Sequence, residues 1–337
     1  MNLRRLLIII GVVSLTLLVA SSFGNFNNIL EAFERVRWYV LPLAAVVQAI
    51  DCVCNAKYYQ SFFRISRRHI KLEPLCEISL GINFANQVIP AGGVAGTTFF
   101  TQAMSKYDVS PGNATLAQLG RYIFTFLSFF VVLALGFLML FAGGNLNKVS
   151  VRLIILLMMI VLAIGTVLVV TISDRKRLEA LAKPIVGLIN AFGTKVLRRN
   201  KPAINPLQIT NFVDEFSDGY REIMSHKRAW PSLFWWACGM NICEVATIYA
   251  VCISFGLWPN PGIVIAGYTL GIMASASGAI INGLGVYEAG MIGTFVALGI
   301  PFALSFAIFT VYRITTMVIL IPIGLYFYRK HLEQVTT

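Results

Sequence analysis

The chain has 337 residues, 57% of them hydrophobic and 12% charged, with a formal net charge of +12 and a mean hydropathy of +0.76. Roughly a quarter of a soluble domain is charged, so this composition excludes an ordinary soluble globular protein and points to an all-α polytopic membrane protein. The charges are clustered between apolar runs, not spread as a basic surface, so membrane lipids are the expected partners and nucleic acid is not.

A bilayer core needs about 20 apolar residues per crossing helix. Runs at 6–23, 38–62, 114–142, 151–172, 231–256 and 302–328 meet that need. Arg4 and Arg5 precede the first run, and Arg64, Arg67, Arg68 and Lys71 follow the second. The linker 173–229 carries eleven Lys/Arg against six Asp/Glu, and Arg329 and Lys330 follow the last run. Cytoplasmic loops collect Lys and Arg. One topology puts every cluster inside: six full spans with both termini in the cytoplasm of a prokaryote. The short, nearly uncharged loops 143–150 and 257–261 then lie outside. The first run also has the outline of a signal peptide, ending in "VASSFG", but its apolar run is long, which favours a retained span.

Two further stretches, 74–106 and 262–299, are apolar but interrupted by glycine and proline. Each must enter and leave on one side. A re-entrant hairpin and a pair of full crossings both do this, and charge bias does not choose between them; re-entrant hairpins are taken as the expectation. In the linker, Leu178, Leu181, Ile185, Leu188 and Phe192 share one helical stripe, and Pro184 bends it. That segment reads as amphipathic helices, either lying on the anionic inner leaflet or docked as a cytosolic hairpin.

The chain also echoes itself at an offset of 192 residues. Trp38 falls on Trp230, Gly93-Val94 on Gly285-Val286, and Arg121 on Arg313, while Asp51 and Glu244 come within one residue of matching. Halves 38–142 and 230–328 repeat one order: a span with an acid, a glycine-broken stretch, a span with an arginine. By the charge bias the halves are inverted. Inverted repeats whose broken helices meet near the midplane are a transporter pattern.

The broken stretches are where polar groups gather. Freed backbone is tolerated at membrane depth only where protein or water satisfies it, and a half-helix beginning there aims its N–H groups at an anion. In "NFANQVIPAGGVAGTTFF", Asn83, Asn86 and Gln87 precede the Gly92-Gly93 break, and Gly96, Thr97 and Thr98 follow it. In "INGLGVYEAGMIG", Gly283 and Gly285 precede Glu288. Arg313 lies near mid-bilayer, where an ionisable group needs a partner, and Glu288 is the natural one. Either the pair is structural, or it holds a guanidinium fork ready for a lipid phosphate. Arg121 is a second candidate. Asp51 and Glu244, mid-span without local partners, are candidates for proton or ion coupling or for buried hydrogen bonding. The three histidines sit in polar segments away from other ligands, the six cysteines in or beside apolar runs, and no nucleotide motif occurs. No metal and no cofactor are expected.

"NFANQVIPAGGVAG" and "GLGVYEAG…ALGIP…YR" resemble the paired motifs of the lysylphosphatidylglycerol-synthase transmembrane family, also called flippase-like. The resemblance covers roughly 5–328. It carries over to Asn83, Pro90, Gly92, Gly93 and Gly96, and to Gly283, Gly285, Val286, Glu288, Pro301 and Arg313. Two departures, Ile281-Asn282 before the Gly-Leu-Gly and Tyr287 before the acid, bear on substrate identity more than on fold. The resemblance implies a membrane part that moves a lipid across the bilayer, while a separate soluble domain in two-domain members makes that lipid. With nine residues after Tyr328, this chain is expected to lack that domain and not to be a synthase. The expected function is lipid translocation, with an anionic or amphiphilic headgroup at Arg121 and Arg313. An intramembrane lipid-modifying enzyme and a non-catalytic membrane partner remain as alternatives, and a homo-oligomer is compatible with either.

Overall fold

In a computed structural model, residues 31–88, 94–142, 214, 218–221, 223–277 and 286–336 are described. They are helical, with no strand among them. Eight α-helices follow in order: α1 Leu41–Ile65, α2 Leu72–Val88, α3 Val94–Met104, α4 Pro111–Ala142, α5 Trp230–Ser254, α6 Pro261–Ser277, α7 Val286–Ala297 and α8 Phe302–Thr336. Short 3-10 turns Trp38–Val40 and Lys227–Ala229 lead into α1 and α5. Proline marks most of the starts: Pro111 and Pro261 open α4 and α6, Pro42 and Pro231 occupy the first positions of α1 and α5, and Pro301 precedes α8. Its fixed φ suits a first turn whose N–H needs no partner.

Four helices among the described residues are long and apolar enough to cross a membrane: Trp38–Ile65, Pro111–Ala142, Lys227–Ser254 and Phe302–Glu333. They coincide with four of the six expected runs. The expected spans 6–23 and 151–172, and most of the linker 173–229, lie outside the described residues. Large apolar side chains point outward along these helices, among them Ile50, Leu135, Ile242 and Val318, with Trp38, Trp258 and Tyr326 exposed near their ends. Apolar flanks with aromatic ends are what a lipid-embedded bundle presents.

The remaining helices form two hairpins. Helices α2 and α6 have 17 residues each, and α3 and α7 have 11 and 12. In each hairpin a glycine lets an aromatic ring lie against the facing helix: Gly81 under Phe99, and Gly267 under Phe295, whose ring atom is 2.5 Å from where a Cβ would sit. Pro90, Gly92, Gly93, Gly283 and Gly285 lie outside the described residues.

The same order therefore occurs twice: a 25-residue helix, a 17-residue helix, a short helix, a long helix. Packing follows that order. Helices α1 and α5 cross antiparallel, with Gln48 against Thr247, Cys54 against Gly239 and Ser61 against Ser232. Helix α4 packs on α6 of the other half, where Gly262 faces the Gly136 backbone. Helix α8 packs on α2, where Gly324 faces Leu80 and Phe84. Exchanging the halves leaves this pattern unchanged.

Charge is segregated. Arg64 and Arg67 at the end of α1 meet Arg228 before α5. Arg68 donates to the Tyr107 carbonyl at 2.9 Å, and Lys330 near the end of α8 reaches Glu77 near the start of α2 at 2.8 Å. These contacts gather Arg64, Arg67, Arg68, Arg228 and Lys330 at one end of the bundle. The other end joins Arg37 to the Ser254 carbonyl, and Asn260 to the Met139 carbonyl.

Candidate functional site

Arg313 stands eleven residues into α8, about 17 Å from its start at 1.5 Å per residue. Glu288 stands in the first turn of α7, on the inner side of its hairpin. The two meet at 2.9 Å, Nη2 to Oε1, with side chains 27% and 15% exposed. The guanidinium also lies over two rings, 5.1 Å from the centroid of Tyr287 and 5.5 Å from that of Phe309. Rings orient a guanidinium through its face and leave its edge for an acid. Its Nε is buried without a hydrogen-bond partner.

Beside this pair is a cavity of about 260 Å³. Six helices contribute to its wall: Gln48 from α1, Gln87 from α2, Glu244 from α5, Tyr268 from α6, Tyr287 from α7 and Arg313 from α8. Glu244 accepts a hydrogen bond from the Tyr312 hydroxyl at 2.9 Å. Gln48 donates to the Thr247 hydroxyl at 3.1 Å, and Gln87 Oε1 is buried without a partner. Tyr268 is fixed by donating to Asn241 Oδ1 at 2.9 Å, and Asn241 in turn donates to the Thr125 carbonyl and the Ser128 hydroxyl. Asn241 thus ties α4 and α6 to α5 behind the cavity. Asp51 is buried on α1, within electrostatic reach of both Glu244 and Arg121.

The structure does not bring all the expected site residues together. Arg121 is not in the cavity wall. It lies 4.7 Å over the Tyr122 ring, with Tyr58 and Tyr59 as electrostatic neighbours, and its Nε is buried without a partner. Asn86 and Gly96 face each other across the first hairpin, where Asn86 Oδ1 accepts the Gly96 N–H at 3.0 Å. One of the free N–H groups at the start of α3, expected to serve an anion, is therefore satisfied from inside the hairpin. Asn83 is half-buried on α2 and does not line the cavity. No group of three metal-ligating side chains occurs among the described residues.

Comparison with known proteins fits this membrane architecture. The profile of the Lysylphosphatidylglycerol synthase TM region matches residues 5–324. The chain belongs to that family. A UPF0104 membrane protein of Methanothermobacter thermautotrophicus (strain Delta H) is 20% identical over 328 residues, which cover 96% of this chain and 92% of the relative. No solved structure matches.

Among the polar cavity residues, Gln48, Tyr268, Tyr312 and Thr316 had drawn no site expectation, and Tyr287 had been noted only as a departure from the family motif. Gln87 had been noted only as preceding the break. A signal for Gln48 exists in hindsight, since a lone amide inside an apolar span must find a polar partner. The tyrosines give no such signal, because Tyr is common in apolar helices.

Proposed function

We propose that the protein is a lipid translocator of the cytoplasmic membrane, taking an anionic or amphiphilic headgroup into the cavity between its two hairpins. The observation that carries this reading is the cavity itself. It joins a guanidinium and a carboxylate at mid-helix depth where six helices of both halves converge. Such groups are costly in a bilayer and face substrate or ion paths when they occur. Arg313 would take a phosphate or carboxylate in a bidentate grip, exchanging part of its contact with Glu288. Glu244, held by Tyr312, and Asp51 behind it are the groups for proton or ion coupling. No Ser/His pair accompanies them among the described cavity residues, so a translocator fits better than an intramembrane hydrolase.

The topology belongs to the same proposal. The four spans are joined by 6–23 and 151–172, the two hairpins are re-entrant from opposite sides, the halves are inverted, and both termini are cytoplasmic. The antiparallel α1–α5 crossing and the gathering of Arg64, Arg67, Arg68, Arg228 and Lys330 at one end support it.

The test is transport of fluorescent lipids with different headgroups in proteoliposomes, read by dithionite quenching. Headgroup-selective movement lost in Arg313→Ala and Glu288→Gln, with both variants folded, supports the reading. Equal movement of every headgroup in all three proteins overturns it.

A further inference from the structure

At the basic end of the bundle, the end of α1 and the start of α5 border an open, solvent-facing cavity of about 440 Å³. Ser61 and Ser232, their hydroxyl oxygens 3.2 Å apart, lie in its lining. Arg64, Arg67 and Arg228 line it too, with His226 beside them, and no carboxylate does among the described residues. The three arginines are exposed, and like charges lining one groove repel, though water and salt weaken the repulsion; an anion between them offsets it.

The backbone shows the same design. Helix α1 ends with Arg67 N–H on the Arg64 carbonyl at 3.1 Å and Arg68 N–H on the Phe63 carbonyl at 2.9 Å. Helix α5 ends with the same pair of bonds, centred on Gly256 at φ +72, and α7 with those centred on Gly299 at φ +94. Arg67 occupies the left-handed position, φ +55, that glycine fills in those two caps. A side chain there crowds the following carbonyl and strains the backbone. Asp108, φ +54, closes the turn after Ser105–Tyr107 with the same two bonds, so a non-glycine residue in such a cap is not confined to this site; at Arg67 the position places the side chain in the cavity lining.

We propose that this cavity binds a phosphate group carrying at least two negative charges, a phosphomonoester or a diphosphate, at the membrane surface. Arginine forks grip phosphate oxygens in pairs, and the serine hydroxyls donate to a further oxygen. A phosphodiester, with a single charge, leaves the guanidinium cluster largely uncompensated. The site lies at the helix ends and is filled without entry into the Arg313 cavity. The same phosphate chemistry arrives on a lipid or on a soluble molecule, and two probes separate these sources.

The experiment titrates delipidated full-length protein in detergent with phosphatidic acid, phosphatidylglycerol and inorganic pyrophosphate, read by native mass spectrometry and thermal shift. Wild type is compared with Arg67→Gly and Arg228→Gln. Phosphatidic acid or pyrophosphate should bind about tenfold more tightly than phosphatidylglycerol, and each substitution should weaken that binding about tenfold, the worth of one charged hydrogen bond. Arg67→Gly relieves the backbone and should melt no lower than wild type, which separates lost binding from lost folding. Binding of phosphatidic acid without pyrophosphate assigns a lipid-borne phosphate; binding of pyrophosphate shows that the phosphate alone suffices. Binding of neither probe, equal binding of phosphatidylglycerol, or binding unchanged in both variants overturns the proposal.

Discussion

The two halves place an arginine at matching positions and surround it differently. Arg313 is paired with Glu288 and edges a cavity. Arg121, 192 residues earlier, is packed among tyrosines and edges none of that cavity. The position 192 residues before Glu288 is Gly96, whose N–H is taken by Asn86. One hairpin therefore brings a carboxylate to its arginine, and the other offers only a backbone amide already in use. The pair shows that a repeated scaffold fixes where a charge sits along a helix, while a single side chain across the hairpin decides what the charge can do. Arg313 is compensated yet reachable; Arg121 is locked into packing between helices.

The widest expected gap is in transport. Arg313→Ala should lower headgroup-selective transport about a hundredfold, an effect of about 3 kcal/mol from one charged contact. Folded Arg121→Ala should lose less than about threefold, well under 1 kcal/mol on the same scale. Equal losses in the two proteins would erase the contrast. Gly96→Ala should come next, because the added methyl meets the Asn86 side chain. Overpacking of that kind costs about 1–3 kcal/mol, seen as earlier thermal unfolding in detergent. Gly293→Ala in the other hairpin has open space around its Cβ and should gain about 0.5–1 kcal/mol from helix propensity; a loss there would mean that lipid contact, not hairpin packing, sets these values. Tyr312→Phe should have a small effect, removing one hydrogen bond to Glu244 for about 1 kcal/mol and leaving lipid selectivity intact. A change in which lipid is moved would shift weight from Arg313 to Glu244.

Much of the scaffold was legible from hydropathy. The runs 38–62, 114–142, 231–256 and 302–328 fall on four long helices, with ends displaced by a few residues, because a crossing helix must stay apolar for its whole length. The Arg313–Glu288 contact was legible for a related reason: two opposite charges at similar depth on adjacent elements have few other ways to be satisfied. The cavity was not legible. Gln48, Gln87 and Tyr312 are single neutral residues on three helices, and only the crossing of those helices brings them together. The turn of Asn86 back onto Gly96 was hidden as well, since ten residues of separation carry no sign that a side chain will cap its own hairpin. Whether the hairpins stop short of the far membrane surface is a question of depth, and sequence charge is silent on it.

The exchange packing has a consequence for how the chain is assembled. Each hairpin is clasped by the last helix of the opposite half, with α8 on α2 and α4 on α6, at glycines where the chains come into backbone contact. Neither half holds all the surfaces that its own hairpin needs. The first hairpin, though synthesised before the second half, lacks this partner until α8 has been made. The halves are thus obligate co-folders, and two fragments separated within the linker 173–229 should recover a native bundle only when both are made in the same membrane.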